Sequence, residues 1–264
     1  MKVVIAGATG WAGSALAKGV VESSDLELVG AVSRSSAGKA IGDLIDCESA
    51  LVVSSKVEDA LASSPDVLVE YTKPDFAKSH ILAGLDAGAH VVVGTSGLTE
   101  EDFEEIDSHA RKSGLGVLAV GNFALTVVLL QKFAEMAAQY IPQWEIIDYA
   151  HSDKVDAPSG TARELAYRLS KVRESKLDVS LEDMNGPRES RGVRLNGSQV
   201  HSVRLPGYVI SLDTIFGMPD QKLTLKHEAG SGAEPYVDGA LLAIRKVGEL
   251  RGLHRGLDTV MEFS

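Results

Sequence analysis

Residues His151 to Thr161, read as His-Ser-Asp-Lys-Val-Asp-Ala-Pro-Ser-Gly-Thr, concentrate groups that can hold an anion. Pro158 suits the first turn of a helix, and either Asp156 or Ser159 can cap it. Gly160 and Thr161 then present backbone N–H groups and a hydroxyl at a helix N-terminus, where a carboxylate is favoured. Lys154 and His151 add positive charge just upstream. Singly, Lys154 is an ordinary surface cation and His151 an ordinary hydrogen-bonded histidine. Combined with a helix start they point to a carboxylate site formed by His151, Lys154, Ser159, Gly160 and Thr161.

A second cluster is Gly7-Ala8-Thr9-Gly10-Trp11-Ala12-Gly13. Its G-x-x-G-x-x-G spacing follows an apolar strand and opens a helix. Glycines there permit a tight turn and close approach of a pyrophosphate, which the helix N-terminus attracts. Gly7, Thr9, Gly10, Trp11, Ala12 and Gly13 are therefore candidate dinucleotide contacts. An acidic residue about twenty positions on would bind a ribose 2′-OH and repel a 2′-phosphate. This chain has Ser33, Arg34 and Ser35 in that region. A guanidinium flanked by hydroxyls suits a phosphate. The expected cofactor is NADPH, with NADH also usable.

The elements that must position these residues follow from apolar patterning. Lys2–Ala6, Leu26–Ser33, Val67–Tyr71, His90–Val93 and Gly116–Val120 are short Val-rich runs that read as buried parallel strands. Between them, Gly13–Ser23, Val57–Ser63, Phe76–Ala87 and Glu100–Ser113 read as helices, the last opened by a capping box from Thr99 and Asp102. The fold class expected is α/β, with a Rossmann-type doubly wound parallel sheet over residues 1–123. After Phe123 the pattern changes. Leu125–Tyr140 and Ala162–Arg173 read as helices, and Glu145–Ala150, Val200–Leu205, Tyr208–Phe216 and Lys222–Ala229 as strands without intervening helices. That implies an α+β second domain, residues 124–234, with a mostly antiparallel or mixed sheet. The tail reads as helix, with 235–264 packing back on the first domain. The two domains are expected to meet at a cleft.

The whole chain resembles the dihydrodipicolinate reductase family of lysine and diaminopimelate biosynthesis. Lys154–Thr161 stands as that family's signature K-V-D-A-P-S-G-T. Gly94-Thr95-Ser96-Gly97 is similar to its G-T-T-G, and Gly121-Asn122-Phe123-Ala124 to its P-N-F-S. Gly38-Lys39-x-Ile41-Gly42, His201–Arg204 and Leu223–His227 also resemble family segments. The resemblance implies that Gly94, Thr95, Ser96, Gly121, Asn122 and Phe123 line the nicotinamide end, and that Lys39, Tyr71 and Thr72 join the cofactor site. It implies that His151, Lys154, Gly160 and Thr161 hold substrate carboxylate, with Lys154 and His151 as the catalytic pair and Lys154 as general acid. The implied activity is NAD(P)H-dependent reduction of 4-hydroxy-tetrahydrodipicolinate, a cyclic imine–enamine dicarboxylate, by a homotetramer joined through the second-domain sheet.

Two positions depart from the pattern. The family carries two adjacent histidines four and three positions before the lysine; here they are Ala150 and His151. Its later G-E-H triplet is replaced by Ile210-Ser211-Leu212. A methyl group cannot shuttle a proton, so Lys154 acts with water, or Tyr149, Asp148, Asp153 or His201 substitutes. Two other readings stay open: a related imine or amino-acid reductase on the same scaffold, and a non-catalytic cofactor-binding module.

Composition narrows the classes further. In 264 residues, 26 Lys and Arg stand against 37 Asp and Glu, a formal net charge of −11. That sign disfavours phosphate backbones, so nucleic acid is not an expected partner. One cysteine, Cys47, cannot form an internal disulfide, and its acidic neighbours Asp46 and Glu48 argue against a reactive thiolate. The N-terminus enters a strand at once, without a leader-like apolar stretch, and no apolar run reaches membrane-spanning length. A cytoplasmic protein is expected. The histidines do not fall at metal-ligand spacing, so no metal is expected.

Overall fold

A computed structural model of the chain describes residues 1–263. In chain order the elements are β1 (Lys2–Ala6), α1 (Trp11–Glu22), β2 (Glu27–Val32), α2 (Ile41–Ile45), α3 (Val57–Leu61), β3 (Val67–Glu70), α4 (Pro74–Asp86), β4 (His90–Val93), α5 (Glu100–Ser113) and β5 (Gly116–Ala119). They continue with α6 (Leu125–Tyr140), β6 (Gln143–Ala150), α7 (Gly160–Ser170), β7 (Val193–Leu195), β8 (Ser198–Arg204), β9 (Ile210–Met218), β10 (Gln221–Ala229), α8 (Val237–Lys246) and β11 (Gly252–Arg255). The chain divides into two compact units. Unit 1 is Met1–Leu125 together with the segment from Ala233 onward, and unit 2 is Thr126–Gly232.

Unit 1 is built on a six-stranded sheet in the order β11-β5-β4-β3-β1-β2. Every neighbouring pair is parallel. Strands covered on both faces need apolar residues at every position. Val3–Ala6, Val67–Val69 and Val91–Val93 meet that demand and are all buried. Strand order reverses at β1, whose neighbours are β2 and β3, and crevices at such a point take ligands beyond the strands' carboxyl ends. The capping box at α5 is present: Asp102 N–H donates to Thr99 Oγ1 at 3.2 Å, and Thr99 N–H to Asp102 Oδ2 at 3.0 Å.

Unit 2 is a five-stranded mixed sheet in the order β10-β9-β6-β8-β7. β6 runs parallel to β8, and the other pairs are antiparallel. Burial alternates strictly along β6, with Trp144, Ile146, Asp148 and Ala150 on the buried face. That face packs with Leu130, Ala134, Leu165 and Leu169 of α6 and α7. Trp144 lies in this core, and its indole N–H donates to Ser198 Oγ at 2.9 Å.

The tail differs from the helix expected over 235–264. Helix α8 ends at Lys246, and Gly252–Arg255 forms β11 at the edge of the parallel sheet. Four residues with no β-branched side chain carry no strand signal of their own. Pairing with β5 makes the strand, together with Asp107 Oδ1 accepting the Leu253 N–H at 2.7 Å. Asp107 thus leaves the otherwise solvated acidic face of α5 to anchor a neighbour. The short strand β7 and the five-residue helix α2 are the other elements without a sequence signal. Cys47 is half-buried, and burial pushes its thiol above its ordinary value.

Candidate active site

In unit 1 the loop from β1 to α1 is shaped by two glycines. Gly7 sits at φ +88°, a conformation L side chains rarely adopt, and a Cβ there would run into the Tyr71 carbonyl. A Cβ at Gly13 would run into the Gly7 carbonyl. These close approaches press α1 against the turn. Gly10 precedes α1 and has no side chain to cap it, so the first-turn amides stay open to an anion.

A cavity of about 490 Å³ lies beside this loop. Among its walls are Gly7, Thr9, Gly10, Ser33, Arg34, Ser35, Tyr71, Thr72, Lys73, Phe76 and His80. Thr9 Oγ1 donates to Ser33 Oγ at 2.6 Å, and Ser33 Oγ lies 3.3 Å from Ser35 Oγ. The Arg34 guanidinium lies over the Phe76 ring, 4.2 Å from its centroid. Open helix amides, three hydroxyls and an arginine are a donor set suited to a phosphate-bearing dinucleotide. A second, 240 Å³ cavity is lined by Gly94, Thr95, Ser96 and Gly121 among others. Gly94 leaves room for the Tyr71 ring, which meets Phe123 edge-on at 5.7 Å between centroids. Burial pushes the Tyr71 phenol far above its ordinary value, so it stays protonated.

Other predicted residues lie outside both linings. Trp11, Ala12 and Gly13 form the first turn of α1. Trp11 is 59% exposed and meets Tyr236 edge-on at 5.5 Å. Lys39 is exposed on the β2–α2 connection. Asn122 and Phe123 follow Gly121, where Asn122 Oδ1 accepts the Ala124 N–H at 2.9 Å.

The unit 2 cluster forms a loop between β6 and α7. Ser159, not Asp156, caps α7: its Oγ accepts the Ala162 N–H at 3.3 Å. The loop is pinned to the sheet from beneath. Asp148 Oδ2 accepts the Ser159 N–H at 2.8 Å and Arg204 Nη2 at 2.7 Å, while Arg204 also donates to the Asp156 carbonyl at 2.8 Å. Above this anchor, Lys154 Nζ pairs with Asp156 Oδ1 at 3.0 Å, and His151 Nδ1 with Asp153 Oδ1 at 2.6 Å. The ammonium beside Asp156 holds its carboxyl below the usual carboxylate range, and His151 does the same for Asp153. Gly160 has an ordinary backbone, and a Cβ there would meet no protein atom within 4 Å. The fold does not require that glycine, and the space above the helix start is open to a ligand.

The departed positions divide between the two faces of the sheet. Ala150 is buried at the end of β6, paired with Arg204 and Ile210. Ser211 pairs with Tyr149 on the opposite face. That face also carries His201, bound to Glu145 Oε2 at 2.7 Å, and Tyr149, whose hydroxyl donates to Asp213 at 3.4 Å. Tyr149 and His201 thus have their partners away from Lys154, and Asp148 is consumed by the anchor. Sequence reasoning did not identify Asp148 and Arg204 as that anchor. The period-two pattern of β6 is the signal that marks Asp148 as a carboxylate on a core face.

Similarity to known proteins accords with this layout. Residues 1–123 match the family model "Dihydrodipicolinate reductase, N-terminus", and residues 126–261 match "Dihydrodipicolinate reductase, C-terminus". The chain belongs to the dihydrodipicolinate reductase family. It is 36% identical over 263 residues to the 4-hydroxy-tetrahydrodipicolinate reductase of Bacillus pumilus, covering 99% of this chain and 98% of that one. With the enzyme of Carboxydothermus hydrogenoformans it shares 37% over 262 residues, covering 98% and 99%. A dipicolinate-bound dihydrodipicolinate reductase from Paenisporosarcina sp. TG-14 superposes with a TM-score of 0.88 at 31% identity, covering 99% of both chains. As a member of that family, the chain is an NAD(P)H-dependent oxidoreductase. Among the described residues no helix is long and apolar enough to cross a membrane.

Proposed function

We propose that this chain reduces 4-hydroxy-tetrahydrodipicolinate to tetrahydrodipicolinate, with NADPH preferred and NADH usable. The observation that carries this reading is the intact Lys154–Thr161 loop, pinned by Asp148 and Arg204 and open above Gly160. The substrate must lose its 4-hydroxyl as water to give the conjugated imine–enamine ring, to which the reduced nicotinamide, when bound, would supply a hydride. The amides of Gly160 and Thr161 at the start of α7 hold one carboxylate, helped by the helix dipole. His151, held by Asp153, is the second basic side chain beside the carboxylate site. Lys154 Nζ donates the proton that the ring's electron-rich atom takes up, and Asp156 holds that ammonium in place. In the cofactor site, Arg34 with Ser33 and Ser35 receives the 2′-phosphate, and the open amides of α1 receive the pyrophosphate. Gly94, Thr95, Ser96 and Gly121 would line the nicotinamide end, with Asn122 and Phe123 following Gly121 outside that lining.

Lys154→Ala tests the assignment. Loss of one general acid typically costs ~10²–10⁴-fold in kcat. The account expects that loss with cofactor affinity unchanged, and intact turnover refutes the role. Ala150 favours one second reading, a reductase of a different imine or amino acid on the same scaffold. We further propose a homotetramer joined through the exposed face of the unit 2 sheet. That face carries Ile147 and Ile215 in a cavity of about 410 Å³. It also carries Ser211 Oγ, Asp213 Oδ1 and Gln199 Oε1, buried and without protein partners. A single-chain mass in solution refutes the assembly.

A further inference from the structure

Glu70, the last residue of β3, is completely buried, and the mechanism above gives it no task. A buried carboxylate costs several kcal/mol unless it is fully partnered. Glu70 Oε1 accepts the Thr72 N–H at 2.7 Å, the Thr72 hydroxyl in a short hydrogen bond, and Thr95 Oγ1 at 3.3 Å. Its Oε2 faces His80 Nδ1 at 2.8 Å. The Glu70 carbonyl also accepts the Gly94 N–H at 3.0 Å and Thr95 Oγ1 at 3.2 Å. One residue therefore ties together the loop after β3, the loop after β4 and helix α4.

Those partners are walls of the two unit 1 cavities. Thr72 and His80 line the one beside Gly7, and Thr95 lines the one beside Gly121. A fully satisfied buried network of this kind fixes geometry rather than adding stability. We propose that Glu70 is a positioning residue of the cofactor site, holding Thr72, His80 and Thr95 so that both cavities keep the spacing one dinucleotide requires. The charge is the essential feature. A carboxylate accepts from every one of these donors at once, which an amide cannot. This rests on the cofactor reading of unit 1 given above, and it concerns binding rather than proton transfer.

Glu70→Gln tests it with little change of shape. The measurement is the Kd of NADPH and of NADH by fluorescence titration, with the thermal unfolding midpoint of the cofactor-free protein alongside. Losing hydrogen bonds to a charged group predicts roughly 10–100-fold weaker binding. The loss should reach both cofactors, and NADPH at least as much as NADH, because His80 stacks on Phe76, over which the Arg34 guanidinium lies. His80→Leu, which strips Oε2 of its partner, should weaken binding similarly. His80→Asn, which can still donate to Oε2, should recover at least half of that loss on a logarithmic scale. A folded Glu70→Gln protein binding both cofactors within threefold of wild type overturns the proposal. If Glu70→Gln does not fold, wild-type affinity in His80→Leu overturns it instead. A wild-type protein that binds neither cofactor overturns the cofactor reading itself, and this proposal with it.

Discussion

Replacing Asp148 with Ala should cost more stability than almost any other single change in unit 2, and the reason is geometric. Asp148 is 2% exposed and Arg204 has 15% of its side chain exposed. Removing the carboxylate leaves the Arg204 guanidinium buried without its counter-charge and takes the acceptor from the Ser159 N–H. Breaking a buried pair from one side costs ~3–5 kcal/mol. Against a total of roughly 5–15 kcal/mol, that is a fifth or more of the stability. At a urea slope of ~1–3 kcal/mol/M it lowers the unfolding midpoint by about 1 M or more. The double variant Asp148→Leu with Arg204→Met removes both charges and should regain most of the loss, since apolar replacement of a whole buried pair is often close to neutral. It should still bind dicarboxylate poorly, because Asp156 and Ser159 have lost their anchors. Urea unfolding followed by tryptophan fluorescence reads the stability, with Trp144 in the same core, and dipicolinate titration reads the site. A single variant within ~1 kcal/mol of wild type refutes the reasoning. So does a double variant as unstable as the sum of its parts.

Three further outcomes follow from the same geometry. Arg34→Ala should raise the KM for NADPH by about 10–100-fold while leaving that for NADH nearly unchanged, as expected for a charge-assisted contact to a 2′-phosphate; equal effects on both cofactors would remove Arg34 from phosphate recognition. Gly160→Ala should leave the protein as stable as before or slightly more so, because its backbone is ordinary, yet raise the KM for the dicarboxylate; unchanged kinetics would mean no ligand group occupies that space. His90 accepts the Gly116 N–H at 2.9 Å through Nδ1, and burial, with the Arg251 charge, lowers it below its ordinary 6.5. The unfolded chain therefore takes up this proton first, so His90 makes stability fall as pH drops below 6.5 until its lower folded value is passed. His90→Asn, which keeps an acceptor for Gly116, should flatten that part of the profile in thermal unfolding between pH 7 and 5; an unchanged slope contradicts it.

Much of the architecture was legible because its physical causes are local. Strands buried on both faces must be apolar throughout, and Val3–Ala6 and Val91–Val93 are. The α5 start was legible in Thr99 and Asp102, and the α7 start in Ser159, whereas Pro158, expected in the first turn, lies one residue ahead of the cap. What stayed hidden was non-local. Strand β11 exists because β5 offers it an edge and Asp107 an acceptor, 146 positions earlier in the chain for the Leu253 bond. Glu70 falls within the run Val67–Tyr71 read as a buried strand, and nothing local supplies its carboxylate with all its partners; only the fold brings Thr95 and His80 to it. The candidate site shows the same division. Lys154, Ser159 and Gly160 were readable from their spacing, whereas Asp148 and Arg204, 56 residues apart, become an anchor only when β6 pairs with β8.

The central claim is tested most directly by NADPH oxidation at 340 nm with the cyclic dicarboxylate generated in place by a coupled synthase, beside a panel of other cyclic and linear imines. The account predicts turnover on 4-hydroxy-tetrahydrodipicolinate at a kcat of ~1–10³ s⁻¹, above every other substrate in the panel. Tight NADPH binding with no turnover on that compound, or faster turnover on another imine, would contradict it and make Ala150 the mark of a different reaction.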